Sequence, residues 1–138
     1  MNPQHKNKSL AAFLALLLGA AGLHRFYLHG LKDRWGWLHA ACLPVTAVLL
    51  LTHPEQPLLI NAALLVLSML VASIETFVIG LMPDEQWDAR YNPESGQTSD
   101  SSWLIAMLMV SNLFYGATLL LTALARSFDL YLTGGAYG

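Results

Sequence analysis

The sequence predicts an all-α, polytopic integral membrane protein with four membrane helices, and two observations carry that reading. Only 12% of its 138 residues are charged, while 55% are hydrophobic, with a mean hydropathy of +0.47. Soluble domains carry roughly 25% charged residues, so this chain has about half the usual means of staying in water. Four apolar stretches also stand out: Leu10–Leu23, Trp35–Thr52, Pro57–Met82 and Trp103–Ala125. A bilayer crossing takes about 20 mostly apolar helical residues, within a range of roughly 17 to 25. Strands are excluded because such runs are too long and do not alternate apolar with polar.

The first stretch is short. Its uninterrupted apolar part, residues 10–23, suits a re-entrant segment or a signal-peptide core. A single helix from Ser9 to Leu28 would reach across, with Arg25 snorkelling at its end. Spanning and re-entrant courses are both open at this point. The second stretch contains Pro44, which predicts a kink, with Thr46 placed to satisfy the freed carbonyl. The second and third stretches are joined by His53–Gln56, a tight turn bounded by prolines, and so form an antiparallel hairpin. Glu75 is the one acidic or basic residue within the last three stretches. Residues 84–100 are polar and acidic, which predicts a water-facing loop with a short interfacial segment at Trp87. Residues 126–138 end in glycines and are expected to form a flexible tail.

The sidedness of charge depends on the first stretch. If it spans, Lys6, Lys8 and Arg126 share one side, and Arg25, Lys32, Arg34 and Arg90 share the other. If it re-enters, six basic residues face Arg126 alone, and the positive-inside rule makes the Arg25–Arg34 loop cytoplasmic. In both cases Trp35, Trp37, Trp87 and Trp103 lie on one side as an aromatic belt.

The composition also excludes some function classes. A formal charge of −2 with no basic run argues against nucleic-acid binding. Cys42 is the single cysteine and cannot form an internal disulfide. No Ser-His-Asp arrangement, phosphate loop or zinc spacing occurs, so no catalytic residues, metal or cofactor are expected.

Three groups of residues are candidates for function. The most specific string is Gly22-Leu23-His24-Arg25-Phe26-Tyr27-Leu28-His29-Gly30. It reads as a helix end and a turn: Arg25 bonding the last carbonyls, Phe26 and Tyr27 at the interface, Gly30 permitting reversal. Upstream, Ala12, Ala15, Gly19 and Gly22 repeat at i, i+3, i+7 and i+10, a small-residue stripe against which another helix can pack. The third group is the intramembrane polar set Glu75, Asn112 and Tyr115. An ionisable residue inside a span is a functional candidate by default. Counting out from the hairpin midpoint brings Glu75 level with Arg34, its candidate partner in a structural ion pair, while Ser73 and Thr76 are placed to complete a small polar site. His24, His29 and His39 raise a haem or metal alternative, but no pair has convincing spacing on two full spans.

The run Lys6-Asn7-Lys8-Ser9, the alanine- and leucine-rich helix, the Gly-rich end and GLHRFYLHG together resemble the two-transmembrane (TM-two) domain family over about residues 6–51. The resemblance implies two membrane helices joined by a short cytoplasmic loop, and no agreed enzymatic activity. His29 before Gly30 departs from the usual Leu-Gly. Residues 1–52 are therefore expected to form the domain-like pair, and residues 53–138 an added helical membrane region. The expected function is a non-catalytic accessory or scaffolding subunit in a bacterial inner membrane, packing against a membrane-protein partner or its own copies. The alternatives are a small homo-oligomeric transporter or channel using Glu75, or a lipid-, quinone- or haem-binding module.

Overall fold

The computed structural model describes residues 5–136. Among the described residues seven α-helices run in the order α1 (Lys8–Leu18), α2 (Leu23–His29), α3 (Arg34–Thr52), α4 (Leu58–Asn61), α5 (Ala63–Leu81), α6 (Asp84–Tyr91) and α7 (Trp103–Thr133). No strand occurs among the described residues. Among the described residues three helices, α3, α5 and α7, are long and apolar enough to cross a membrane. The molecule is a polytopic helical membrane protein.

The first apolar stretch resolves into a doubled-back pair. Asn7 caps α1 by accepting a hydrogen bond from the Leu10 amide at 3.0 Å. With 11 residues, α1 is only about 16 Å long against a hydrocarbon core of about 30 Å. A 3-10 turn over Gly19–Ala21 follows, and Gly22 adopts φ +73°, a left-handed conformation that reverses the chain into α2. The return is tied off at its far end. Lys6 Nζ donates to the Leu28 carbonyl at 2.5 Å, and the Asn7 amide donates to the Tyr27 hydroxyl at 2.7 Å. Lys6 and Leu28 are therefore at the same end of the bundle, so the chain doubles back and a single Ser9–Leu28 helix is not formed.

Small side chains let this hairpin dock. Ala11, Ala12 and Ala15 are buried, and Gly19 lies so close to Ala72 of α5 that any Cβ would collide with it. Gly22 does not extend the Ala12–Ala15–Gly19 stripe along one helix. It sits at the tip, its Cα hydrogen facing the Gly36 backbone of α3.

The end of α5 nearest Leu81 is sealed by a polar cap. The Lys8 ammonium, itself buried, reaches the Met82 carbonyl at 2.5 Å, Asp84 at 2.8 Å and Ser101 at 2.9 Å. Trp87 of α6 is fully buried and donates its indole N–H to the Lys6 carbonyl at 3.1 Å. The four tryptophans therefore do not share one role: Trp35, Trp37 and Trp103 are exposed as a belt requires, whereas Trp87 is a core residue. Residues 92–102 are pinned as well. Asp88 accepts from the Ser99 amide and hydroxyl, each at 2.6 Å, and those bonds hold its carboxyl down to about 2. Burial opposes the charge of Asp84, but Lys8 and Ser101 outweigh it and keep that carboxyl below its ordinary range.

Two further expectations are corrected. Of the flexible tail expected over residues 126–138, residues 126–133 are the last two turns of α7, and residues 137–138 lie outside the described residues. Arg126 pairs with Asp129 at 2.9 Å, and Gly134 closes the helix in a left-handed cap. Pro44 does lie inside α3, but Thr46 does not compensate for it: its buried hydroxyl has no hydrogen-bond partner.

Candidate functional site

The re-entrant hairpin, α3 and α5 converge on one carboxylate. Glu75 lies three residues past Ala72, the middle residue of α5. One of its oxygens is paired with the Arg25 guanidinium, and the other accepts from His24 Nε2 at 2.7 Å. His39 Nε2 approaches that second oxygen at 3.4 Å. Arg25 is shared, because its Nε also donates to Asp33 at 2.6 Å. Asp33 in turn caps α3 by accepting from the Gly36 amide at 3.0 Å. The Arg25 hydrogen bond holds the Asp33 carboxyl below its usual range.

Each helix supplies its member for a local reason. The reversal at Gly22 places His24 and Arg25 in the first turn of α2, facing α5 and the start of α3. Phe26 lies edge-on to Trp37 with ring centroids 5.2 Å apart and covers Gly36, whose lack of a side chain makes room for the ring. On α3, His39 is one turn beyond Gly36 and is hydrogen-bonded through Nδ1 to the Ser68 hydroxyl at 2.6 Å. Ser68 donates to the Ala20 carbonyl at 3.2 Å, so its own hydrogen is committed. The cluster therefore ties together α2, α3, α5 and the tip of the hairpin.

A cleft of about 170 Å³ leads to it from the capped end, lined by His29, Arg90 and Tyr91 at one end and by His24, Arg25 and Glu75 at the other. Val78, Ile79, Leu28 and Met82 form its apolar walls. Partial burial, followed by the charge of Arg25, keeps the His29 imidazole below its ordinary value.

Several sequence-predicted residues are placed differently. Arg34 is exposed and makes no ion pair with Glu75; the cation that does so is Arg25, which does not bond helix carbonyls as expected. Asp33 and His39 were not anticipated as members, because their connection runs through the hairpin reversal and not through spacing along one helix. The regular i+3 step from Gly36 to His39 on α3 was the available signal. Ser73 and Thr76 do not complete the Glu75 site. Ser73 bonds Asn112 at 3.1 Å, Asn112 returns a bond to the Ser73 carbonyl at 2.9 Å, and Thr76 bonds the Ala72 carbonyl of its own helix at 2.8 Å. Asn112 thus fastens α7 to α5, the usual role of a buried amide between membrane helices. Tyr115 is half-buried and has no hydrogen bond. Gly30, at φ +79° and in open space, ends α2. Both histidine rings aim Nε2 at the same carboxylate oxygen, which is not how two axial ligands flank a porphyrin.

The family model of the TM2 domain matches residues 4–52, about a third of the chain, ending with α3. The TM2 domain is not a known enzyme family. No curated protein and no solved structure matches the chain.

Proposed function

We propose that this protein is a non-catalytic accessory subunit of the bacterial inner membrane that receives a helix of another membrane protein against the outward face of α7. One observation carries the reading. Ser111, Tyr115, Thr118 and Thr122 recur at i, i+4, i+7 and i+11, which places four hydroxyls on one stripe of α7. Ser111, Thr118 and Thr122 are exposed, and none of the four makes a hydrogen bond. Elsewhere on the same helix, Ser127 and Thr133 do bond back to the carbonyls four residues earlier, at 2.7 and 2.9 Å. Hydroxyls left free in hydrocarbon are suited to bonding across to a neighbouring helix, worth roughly 0.6 to 2 kcal/mol each. Phe114 and Leu119 flank the stripe and form a shallow recess with Tyr115, Thr118 and Thr122. The re-entrant course leaves six basic residues opposite Arg126, so the capped end is the cytoplasmic one.

The test is native mass spectrometry of the full chain after mild detergent extraction at native expression level. A complex of fixed stoichiometry with other membrane proteins is expected, weakened by Thr118→Val together with Thr122→Val. Recovery of the wild-type chain as a lone monomer overturns the proposal. Recovery as a homo-oligomer favours a second reading, a small transporter using Glu75, which draws support from the cleft that reaches this carboxylate.

A further inference from the structure

We infer that Glu75, His24 and His39 form a buried proton-binding site, loaded through the cleft at the capped end, in which His39 holds the bound proton as an imidazolium. The inference stands apart from the α7 stripe and rests on hydrogen-bond direction and a charge count. With the Ser68 hydrogen given to the Ala20 carbonyl at 3.2 Å, the Ser68 oxygen accepts toward His39 Nδ1 at 2.6 Å. His39 Nδ1 therefore carries a hydrogen. In a neutral ring, Nε2 would then present a lone pair to the Glu75 carboxylate 3.4 Å away, two acceptors facing each other. A second proton on His39 converts that repulsion into a charge-assisted contact.

The charge count leads to the same proton. Facing one another here are Glu75 from α5, Arg25, His24 and His29 from α2, Asp33 ahead of α3, His39 from α3, and Arg90 with Tyr91 from α6. Arg90 and His29 are exposed at the mouth, where water screens them. At the inner end two carboxylates, Asp33 and Glu75, share the single guanidinium of Arg25, leaving a net charge of −1 when both histidines are neutral. An uncompensated charge within an apolar bundle is costly, and one imidazolium removes it. His24 is the poorer seat. Its Nε2 already donates to Glu75, while its Nδ1 is buried with no partner to receive a second N–H. His39 has an acceptor at each nitrogen. The proton enters by way of Glu75, whose side chain is 22% exposed, whereas His24 is 1% exposed.

The proton forms an N–H bond at His39 Nε2 and comes from solvent hydronium at the cleft, whose O–H bond breaks to leave a water molecule, so no other reactant is required. Among the described residues no three His, Cys, Asp or Glu side chains are placed to hold a metal ion. The experiment is nitrogen-15 NMR of the histidine-labelled full chain in lipid nanodiscs at neutral pH, where doubly protonated rings are distinct from both neutral tautomers. One imidazolium per chain is expected, absent from His39→Gln. Glu75→Gln, which makes the cluster neutral without that proton, should lose the same signal. Wild-type spectra with every buried ring neutral overturn the inference without recourse to any variant, as does an imidazolium that survives His39→Gln. A signal unchanged in a folded Glu75→Gln chain would also overturn it, by removing the carboxylate as its cause.

Discussion

The two ends of α5 are built on different principles. From Ala72 to Gly80 the helix is enclosed by the re-entrant hairpin on one side and the first turns of α7 on the other, with Ala72, Ser73, Thr76, Ile79 and Gly80 buried. From Ala63 to Val71 only Ser68 is buried. The same division runs along α7, where every buried residue lies between Ile105 and Asn112 and none of the next twenty-one is buried. Close approach explains the dense end: Gly19 against Ala72, Gly80 against Met109 and Gly116 against Ser73 bring backbones together where polar bonds can then reach across. In the open half, α5 and α7 leave an apolar groove lined by Leu59, Val66, Leu70, Ala123, Leu130 and Tyr131. The lesson is that the N-terminal hairpin acts as a wedge which organises one half of the bundle and leaves the other half free to meet lipid or protein.

The dense half of the bundle is most sensitive at the tip of the wedge. Gly22→Ala should be the most damaging single change, costing about 5 kcal/mol or more. Its φ of +73° already disfavours a side chain, and the added Cβ would strike the Gly36 backbone, which has nowhere to move. Gly30→Ala also imposes a strained conformation but meets open space, so it should cost only about 1–3 kcal/mol. Reversible unfolding in mixed detergent micelles measures both, and equal losses would show that the tip contact is unimportant.

A smaller effect tests which arginine matters. Arg25→Gln strands Asp33 and Glu75 together without a cation, and an expected loss of about 3–5 kcal/mol follows. Arg34→Gln, at an exposed position with no link to Glu75, should fall within about 0.5 kcal/mol of wild type. If the two variants unfold alike, the cluster is not what holds the hairpin to α5.

The smallest effect concerns the polar cap. Asp88 is held at about 2, below its ordinary 3.8, by Ser99 and Asn92. A depressed carboxyl contributes order that is present above its unfolded value and lost as pH falls through the folded one. Amide exchange of the Ser99 N–H should therefore be protected at neutral pH and lose protection as pH drops from about 4 toward 2. In Asp88→Asn that acid-dependent step should vanish, and a step that persists would place its origin elsewhere, with Asp84 the next carboxyl to examine.

Much of the architecture is legible in the residues themselves. Apolar run lengths identify α3, α5 and α7 as membrane helices, because hydrocarbon thickness fixes the length of any helix that crosses it. The small residues Ala12, Ala15 and Gly19 mark the face of α1 that packs, since only small side chains permit close backbone approach. The string around Arg25 is recognisable, and an acidic residue inside a span singles out Glu75. What the sequence could not supply was direction and partnership. Whether residues 9–28 continue or turn back depends on a left-handed Gly22 that is stable only because Gly36 receives it. The choice of Arg25 over Arg34, and the recruitment of Asp33 and His39, follow from that reversal. Arg25 and His39 reach Glu75 from 50 and 36 positions away in sequence, and no local propensity or periodicity encodes which distant side chains a turn will bring together. Chain chemistry determined that this protein lives in a membrane; tertiary packing alone decided where its charges meet.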